Sequence, residues 1–411
     1  MVKTKENKNQ ETIQDIFHEE IQRPVIQKGL SLDFKLALLV IVFSILGGFL
    51  SSLAKDYWFD VYFPQAPLEA DESGRQPSKK ILDLNFLLKD NETDYSQVLS
   101  EIKAPLVGFY KKKTSEGILE SLYLEKDFLG SGIAVTSDGW ILTHQSVVAE
   151  GGYVAVTNDK RILETQKKVL DPFSPLVLIK VGVDNLTPAR FADLNGLKPT
   201  DFLLVSRYTA QNHGSDMLKT TVQKFAYHDQ AKAADFLLST EKIDHYLKIS
   251  GDLESFYNGG VLLNDKNEVV GLLFNSGKDF VNLAVPAYYL KSAVNNFLAK
   301  SEEILRSRLG LSYLSLSEAL GLPASVSENR TKGAVVLGDA KRNILAVAVG
   351  SPAEAAGLKA GDIIIKVNNE EVDESNSLTK LIQDYTSGQE ITLTIIRAGQ
   401  ESQIKVTLDA L

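Results

Sequence analysis

Acyl-transfer chemistry needs a nucleophile, a base to take its proton and donors for the developing negative charge. Three segments of this chain hold residues of roughly those types. The first is Gly130-Ser131-Gly132 with Gly139-Trp140-Ile141-Leu142-Thr143-His144-Gln145-Ser146-Val147-Val148, which supplies one imidazole. The second is Asp171-Pro172-Phe173-Ser174-Pro175-Leu176-Val177-Leu178-Ile179-Lys180. The third is Phe256-Tyr257-Asn258-Gly259-Gly260-Val261-Leu262-Leu263-Asn264, with Ser255 just before it. An amide nitrogen such as that of Asn258 has a delocalised lone pair and is a poor nucleophile, and Gly-x-Ser-Gly-Gly occurs nowhere. The chain has no cysteine, which excludes a thiolate nucleophile, thiolate metal sites and disulfides.

In order and frame these segments resemble the HtrA (DegP/DegS) family of envelope serine proteases with PDZ domains. Members typically read GSG…DGYILTNxHVV, D-x-x-x-DLAVLKI and GNSGGPLLN. Laid on those patterns without gaps, Ser146 stands for the family His, Pro175 for the Asp and Asn258 for the nucleophilic Ser. The resemblance thus implies a trypsin-type scaffold with a degenerate triad, in which no catalytic residue is expected. Ser146 is no base near neutral pH, and Pro175 offers neither charge nor N–H. Loss of a triad member is costly by itself. Phe256 and Tyr257 fall in the former oxyanion-hole region, and two aromatics there either fill the old cleft or pack in the core. His144 lies two residues before the family His, about 6 Å along the chain. A displaced triad using His144 and Ser255 is the alternative that would make the chain an active endopeptidase. Otherwise His144 is expected in a turn or at the surface, and His213, His228 and His245 in exposed loops or helices. The sequence displays no metal-ligand cluster and no phosphate-cradling loop, so neither metal nor cofactor is expected.

The elements that must position these segments are short apolar runs between turn formers. Ser131–Val135, Trp140–Thr143, Leu176–Val181, Phe202–Ser206, Val261–Leu263 and Val269–Phe274 read as strands. Many short strands argue for sandwiches or barrels, and the resemblance implies two six-stranded barrels with the site between them. Ala287–Lys300 has helical spacing. The last hundred or so residues form a separate unit. Ser351-Pro352-Ala353-Glu354-Ala355-Ala356-Gly357-Leu358-Lys359-Ala360-Gly361-Asp362-Ile363-Ile364 resembles the PDZ signature of the same family. Asn376–Tyr385 places Leu378, Leu381, Ile382 and Tyr385 on one helical face, and Ile391–Ile396 and Ile404–Leu408 follow as strands. PDZ domains receive a peptide C-terminus as an added strand, its carboxylate on loop N–H groups. Arg308-Leu309-Gly310-Leu311 fits the family loop, Leu311-Ser312-Tyr313-Leu314 the edge strand, and Leu378 and Ile382 the apolar pocket.

At 411 residues, two to three domains are expected. The fold class is mostly β: a double barrel, then an α+β PDZ domain, with one N-terminal transmembrane helix. Leu36–Ala54 is 19 residues without a charge, long enough to span the hydrocarbon core. Arg23, Lys28 and Lys35 precede it closely whereas Lys55 alone follows before Arg75, which puts the N-terminus in the cytoplasm. The expected organisation is a cytoplasmic tail (1–35), an anchor (36–54), a linker (55–83), a trypsin-like domain (84–300) and a PDZ domain (301–411), the folded parts lying in a bacterial-type envelope. A net charge of −9 gives no footprint for nucleic acid. The function expected first is a membrane-anchored pseudoprotease that binds peptide C-termini or unfolded proteins, in protein quality control or as regulator of an active HtrA-type protease. A structural oligomeric platform is a further alternative, a homotrimer in which Leu84–Tyr110 supplies the contacts.

Overall fold

In a computed structural model, residues 105–114, 117–148, 152–210, 215–251, 253–275, 282–300 and 303–411 are described. The expected tail, anchor and linker lie outside them. Among the described residues no helix is long and apolar enough to cross a membrane.

The first barrel is built from β1 (Leu106–Lys111), β2 (Phe128–Ala134), β3 (Trp140–His144), β4 (Tyr153–Thr157), β5 (Ile162–Leu170) and β6 (Leu176–Val181). The strands close in the order β1-β2-β3-β6-β5-β4. Leu106 to Tyr110 are buried in it, so this part of the expected trimer-contact segment is core rather than free surface. The second barrel uses β7 (Phe202–Tyr208) and β8 (Ser215–Tyr227). After β9 (Leu237–Ser239) come its remaining strands, β10 (Tyr246–Ile249), β11 (Val261–Leu263), β12 (Val269–Asn275) and β13 (Asn282–Pro286). It closes as β10-β13-β12-β11-β7-β8, and β9 is not part of it. The barrels meet where Tyr208 lies across Gly108: a Cβ on Gly108 would fall 2.2 Å from the Tyr208 ring. Closure leaves neither barrel an open edge, so every strand finds its backbone partners.

Helix α1 (Ala287–Lys300) follows, with Trp140 and Phe297 edge to face at 4.5 Å. The PDZ domain comprises β14 (Ser307–Arg308), β15 (Ser312–Ser315), β16 (Ala334–Val336), β17 (Ile363–Val367), β18 (Glu370–Glu371), α2 (Leu378–Gln383), β19 (Glu390–Arg397), β20 (Gln400–Thr407) and β21 (Asp409–Ala410). Helix α2 is shorter than the apolar spacing predicts. Ser377 caps its start by accepting the Lys380 N–H, and Tyr385 lies beyond its end. The main PDZ sheet runs β20-β19-β17-β16-β15, and its sixth strand is β9, from the segment between β8 and β10 of the second barrel.

A buried ion pair reinforces the junction between the parts. Arg306, just before β14, donates to Asp171 through Nε at 3.1 Å and Nη2 at 2.6 Å. Neither side chain has any exposed area. Asp171 is held further by the Phe173 N–H and the Ser174 hydroxyl. The loop that leads to Pro175 is thereby fastened to the chain entering the PDZ domain.

Candidate functional site

Strand β3 delivers His144 to the start of one 3-10 turn, Gln145–Val147. His144 Nδ1 accepts the Ser146 N–H at 3.1 Å and the Ser146 hydroxyl at 2.7 Å. With that lone pair engaged, the imidazole is the neutral Nε2–H tautomer. The ring is buried and stacks face to face on Phe274 at 4.8 Å. Burial pulls its pKa down to about 4. This histidine is therefore not at the surface, as its turn-like context suggested: it closes a strand end under β12.

The Gln145 N–H donates to the Pro175 carbonyl at 2.7 Å, which sets Pro175 beside the turn of Ser146. Across from it, a Cβ on Gly130 would fall 2.6 Å from the Asn258 carbonyl oxygen and 2.7 Å from Val147. The fold thus gathers the segments of Ser146, Pro175 and Asn258 into one neighbourhood where the barrels meet.

What surrounds Asn258 is a closed turn. Ser255–Tyr257 is a 3-10 turn, and the Asn258 N–H donates to the Ser255 carbonyl at 3.0 Å. The Gly259 N–H goes to Leu273 at 2.9 Å. An oxyanion hole requires such donors aimed outward at the reacting atom, and here they are directed inward. Gly259 has φ +72, and a Cβ there would stand 1.8 Å from the Ser131 carbonyl oxygen, so the fold itself requires this glycine. Tyr257 belongs to the second barrel's core, with Phe256 against it at 5.0 Å. The Arg207 guanidinium covers Phe256 at 4.4 Å and donates to Glu125 at 3.0 Å. The two aromatics are therefore core and core cap.

The only serine bonded to His144 is Ser146, which is exposed; Ser255 makes no hydrogen bond to it among the described residues. A base with a pKa near 4 is ill matched to proton abstraction at neutral pH. Its lone pair also faces two donors of a single residue.

The second region is the PDZ loop and edge strand. Strand β9 pairs antiparallel with β15, Ser239 opposite Ser312 and Leu238 opposite Tyr313. Leu238 packs into the PDZ core with Leu311, Tyr313, Leu378 and Ile382. The Leu309 and Gly310 N–H groups donate to Glu241 Oε1 at 3.2 and 2.9 Å. The Leu311 N–H goes to the Thr240 hydroxyl at 3.1 Å, and Thr240 N–H returns to the Leu311 carbonyl at 3.0 Å. Gly310 has φ +85, and a Cβ there would meet Ser351 at 2.2 Å. Helix α2 joins in: Thr379 donates to the Ser239 carbonyl at 3.2 Å, Gln383 to the Thr240 carbonyl at 3.3 Å. Arg308 turns away to Asp409 at 2.6 Å. The edge expected to stand open from Arg308 to Leu314 is occupied by residues 237–241 of the same chain. Strands of three and four residues paired about seventy positions apart leave no periodicity in a sequence.

Beside this segment lies a polar knot that sequence reading missed. His228 and His245, expected to be exposed, are largely buried, and both reach Glu318 of the PDZ domain; His213 lies outside the described residues. Asp244 accepts from Tyr289 at 2.5 Å and Tyr313 at 3.1 Å and faces His245 Nδ1 at 3.2 Å. Burial opposes its charge, but His245 and the Ser377 and Tyr289 hydroxyls outweigh that and hold the Asp244 carboxyl well below its usual range. Burial likewise opposes the His245 cation, yet Asp244 and Glu318 raise it to about 10. His228 goes the other way, lowered by burial.

Two closed six-stranded barrels followed by a PDZ domain define a trypsin-type protease scaffold with an appended peptide-recognition module. The trypsin-like peptidase domain pattern matches residues 130–272 and the PDZ domain pattern residues 319–408. A probable periplasmic serine endoprotease, DegP-like, from Marinomonas sp. is 27% identical over 70% of this chain. The match spans 58% of that relative's length. The serine endoprotease DegS of Haemophilus influenzae is 23% identical, covering 79% of this chain and 90% of DegS. The HtrA-type protease AlgW, solved with a decapeptide, superposes with TM-score 0.53 at 16% identity over 77% of this chain and 98% of its own. By these matches the chain is similar to HtrA-type proteases such as the DegP-like enzymes and DegS, with a trypsin-like domain followed by a C-terminal PDZ domain.

Proposed function

We propose that this chain is a catalytically silent HtrA-type protein that works by binding peptide C-termini or unfolded protein through its PDZ groove. The groove rests in a self-occupied state. The observation that carries this reading is the Glu241 carboxylate on the Leu309 and Gly310 N–H groups, with β9 added to β15. A carboxylate on loop N–H groups and an antiparallel strand on the edge are the two things a peptide C-terminus would supply. Residues 237–241 thus act as an internal ligand that an incoming chain must displace, with Leu309, Gly310, Leu311, Ser312 and Tyr313 as the receiving surface and Leu378 and Ile382 beneath it, while Arg308 is held aside by Asp409. Silence of the protease part is supported by Ser146, Pro175 and Asn258 at the triad positions and by the inward-turned N–H of Asn258.

The periplasmic naming of the DegP-like relatives supports an extracytoplasmic place for the folded domains, with Leu36–Ala54 as the anchor, residues 1–35 in the cytoplasm and 55–83 as the tether. The setting proposed is envelope protein quality control, alone or in assembly with an active HtrA-type protease. The test is direct. Purified full-length protein is expected neither to hydrolyse casein nor to be labelled by an active-site fluorophosphonate. Labelling that disappears on Ser146→Ala or His144→Ala would overturn the silent assignment.

A further inference from the structure

We propose that His228, His245 and Glu318 form a divalent-metal site, of the zinc type, that fastens the second barrel to the PDZ domain. One donor atom from each of the three lies within 4.8 Å of the others. His228 Nδ1 is 3.3 Å from Glu318 Oε2, and His245 Nε2 is 2.6 Å from Glu318 Oε1. Four donors arranged tetrahedrally at about 2.0–2.1 Å from Zn²⁺ stand about 3.3 Å apart, so small side-chain shifts bring these three onto one ion. The ligand types fit: two imidazoles and a carboxylate, with no thiolate in the chain.

His228 points to a ligand independently. Its side chain is nine-tenths buried, and both ring nitrogens lack a hydrogen-bond partner. The Asp235 main chain approaches it as a marginal hydrogen-bond partner and the Glu318 carboxylate attracts it electrostatically, but neither makes a hydrogen bond of full geometry to it. A neutral imidazole carries a lone pair that a buried site normally satisfies, and a metal ion would do so. The surroundings supply what metal-bound histidines use. Asp244 faces His245 Nδ1 at 3.2 Å, the carboxylate–histidine arrangement that fixes a ligand's tautomer. Gln230 donates to Glu318 Oε2 at 3.0 Å and orients that carboxylate. On binding, the proton between His245 Nε2 and Glu318 leaves to solvent, freeing the Nε2 lone pair for the ion, and the other proton stays on His245 Nδ1, donated to the Asp244 carboxylate. His245 also helps wall a cleft of about 880 Å³ through which the hydrated ion and a fourth, water, ligand would reach the site.

The three ligands flank the internal ligand. His228 precedes β9, His245 follows Glu241, and Glu318 follows β15, so an ion here would pin β9 against β15 and hold the groove shut. That consequence rests on the groove reading above, whereas metal binding itself does not.

The experiment is Zn²⁺ titration of chelator-stripped full-length protein against a chromophoric chelator, with Co²⁺ as the spectroscopic probe. The expected result is one saturable equivalent, intense visible bands of tetrahedral Co²⁺, and a raised melting temperature with Zn²⁺. His228→Gln should weaken binding about a hundredfold and Asp244→Asn about tenfold. Absence of a saturable equivalent in the wild type would overturn the site, and so would unchanged affinity in His228→Gln. Because the wild-type Co²⁺ spectrum needs no variant, a misfolded substitution cannot obscure the answer. Metal binding without any effect on peptide affinity would leave the site intact and remove only its link to the groove.

Discussion

The cleft between the barrels and the PDZ groove have met the same problem in different ways. Each is a place where polar groups of an HtrA-like scaffold would face a substrate, and in each those groups are satisfied from within. At the cleft the partners are local. Ser146 bonds a histidine two residues away and the Asn258 N–H a carbonyl three residues away. In the groove the partners come from about seventy residues away: Thr240 and Glu241 on the loop of Leu309 to Leu311. Local satisfaction is part of the turn and is lost only if the turn refolds. On the proposed reading, distant satisfaction is an equilibrium between two segments, and a competing peptide would shift it by as much as its preference for the open groove. By that reading, the same economy of hydrogen bonds gives a closed site in one region and a gated one in the other.

The Arg306–Asp171 pair joins the two regions, and breaking it should have the largest effect. Arg306→Ala would leave a buried carboxylate unpaired, which costs about 3–5 kcal/mol. A urea unfolding midpoint well below wild type is expected. Restoring much of it with the double replacement Arg306→Met and Asp171→Leu would show that pairing, rather than charge itself, is what the junction needs. A small loss in Arg306→Ala would mean that the cleft and the groove are less firmly connected than the buried contacts imply.

Next in size is the acid response of the cleft. His144 resists protonation when folded, at about 4 against an ordinary 6.5, because it is buried. A depressed histidine stabilises the fold fully above the unfolded value, and that stabilisation is lost as pH falls from 6.5 toward 4. The difference is worth roughly 3 kcal/mol. His144→Phe keeps a ring on Phe274 but removes the titration. Comparing unfolding midpoints at pH about 7 and about 4.5 should give a smaller acid loss for the variant than for the wild type. Equal losses would place the acid sensitivity elsewhere and detach His144 from the account of the cleft.

Much of the fold was legible from local pattern. Leu176–Val181, Val261–Leu263 and Ala287–Lys300 occupy the bounds their apolar spacing predicts. That the segments of Ser146, Pro175 and Asn258 share a neighbourhood was implied by the family resemblance of their three motifs, not by the residues alone. The occupied groove did not. Leu237–Ser239 is too short for a period to register, and its pairing with Ser312–Leu314 is decided by tertiary contact. The buried histidines were missed for a related reason. Glu318 stands 73 residues beyond His245, and only the meeting of the barrel with the PDZ domain brings it to His228 and His245. Fold features carried by one segment can be read from that segment; those made by two distant segments need the topology first.

On the proposed reading the PDZ groove is held by its own chain through Glu241. Affinity of full-length protein for hydrophobic C-terminal peptides, wild type against Glu241→Ala, tests it most directly. Hydrogen bonds to a charged group contribute about 1.5–3 kcal/mol, so removing the internal carboxylate should tighten peptide binding about ten- to a hundredfold. Unchanged or weaker binding in Glu241→Ala would contradict the account, because the carboxylate would then be no competitor of the peptide.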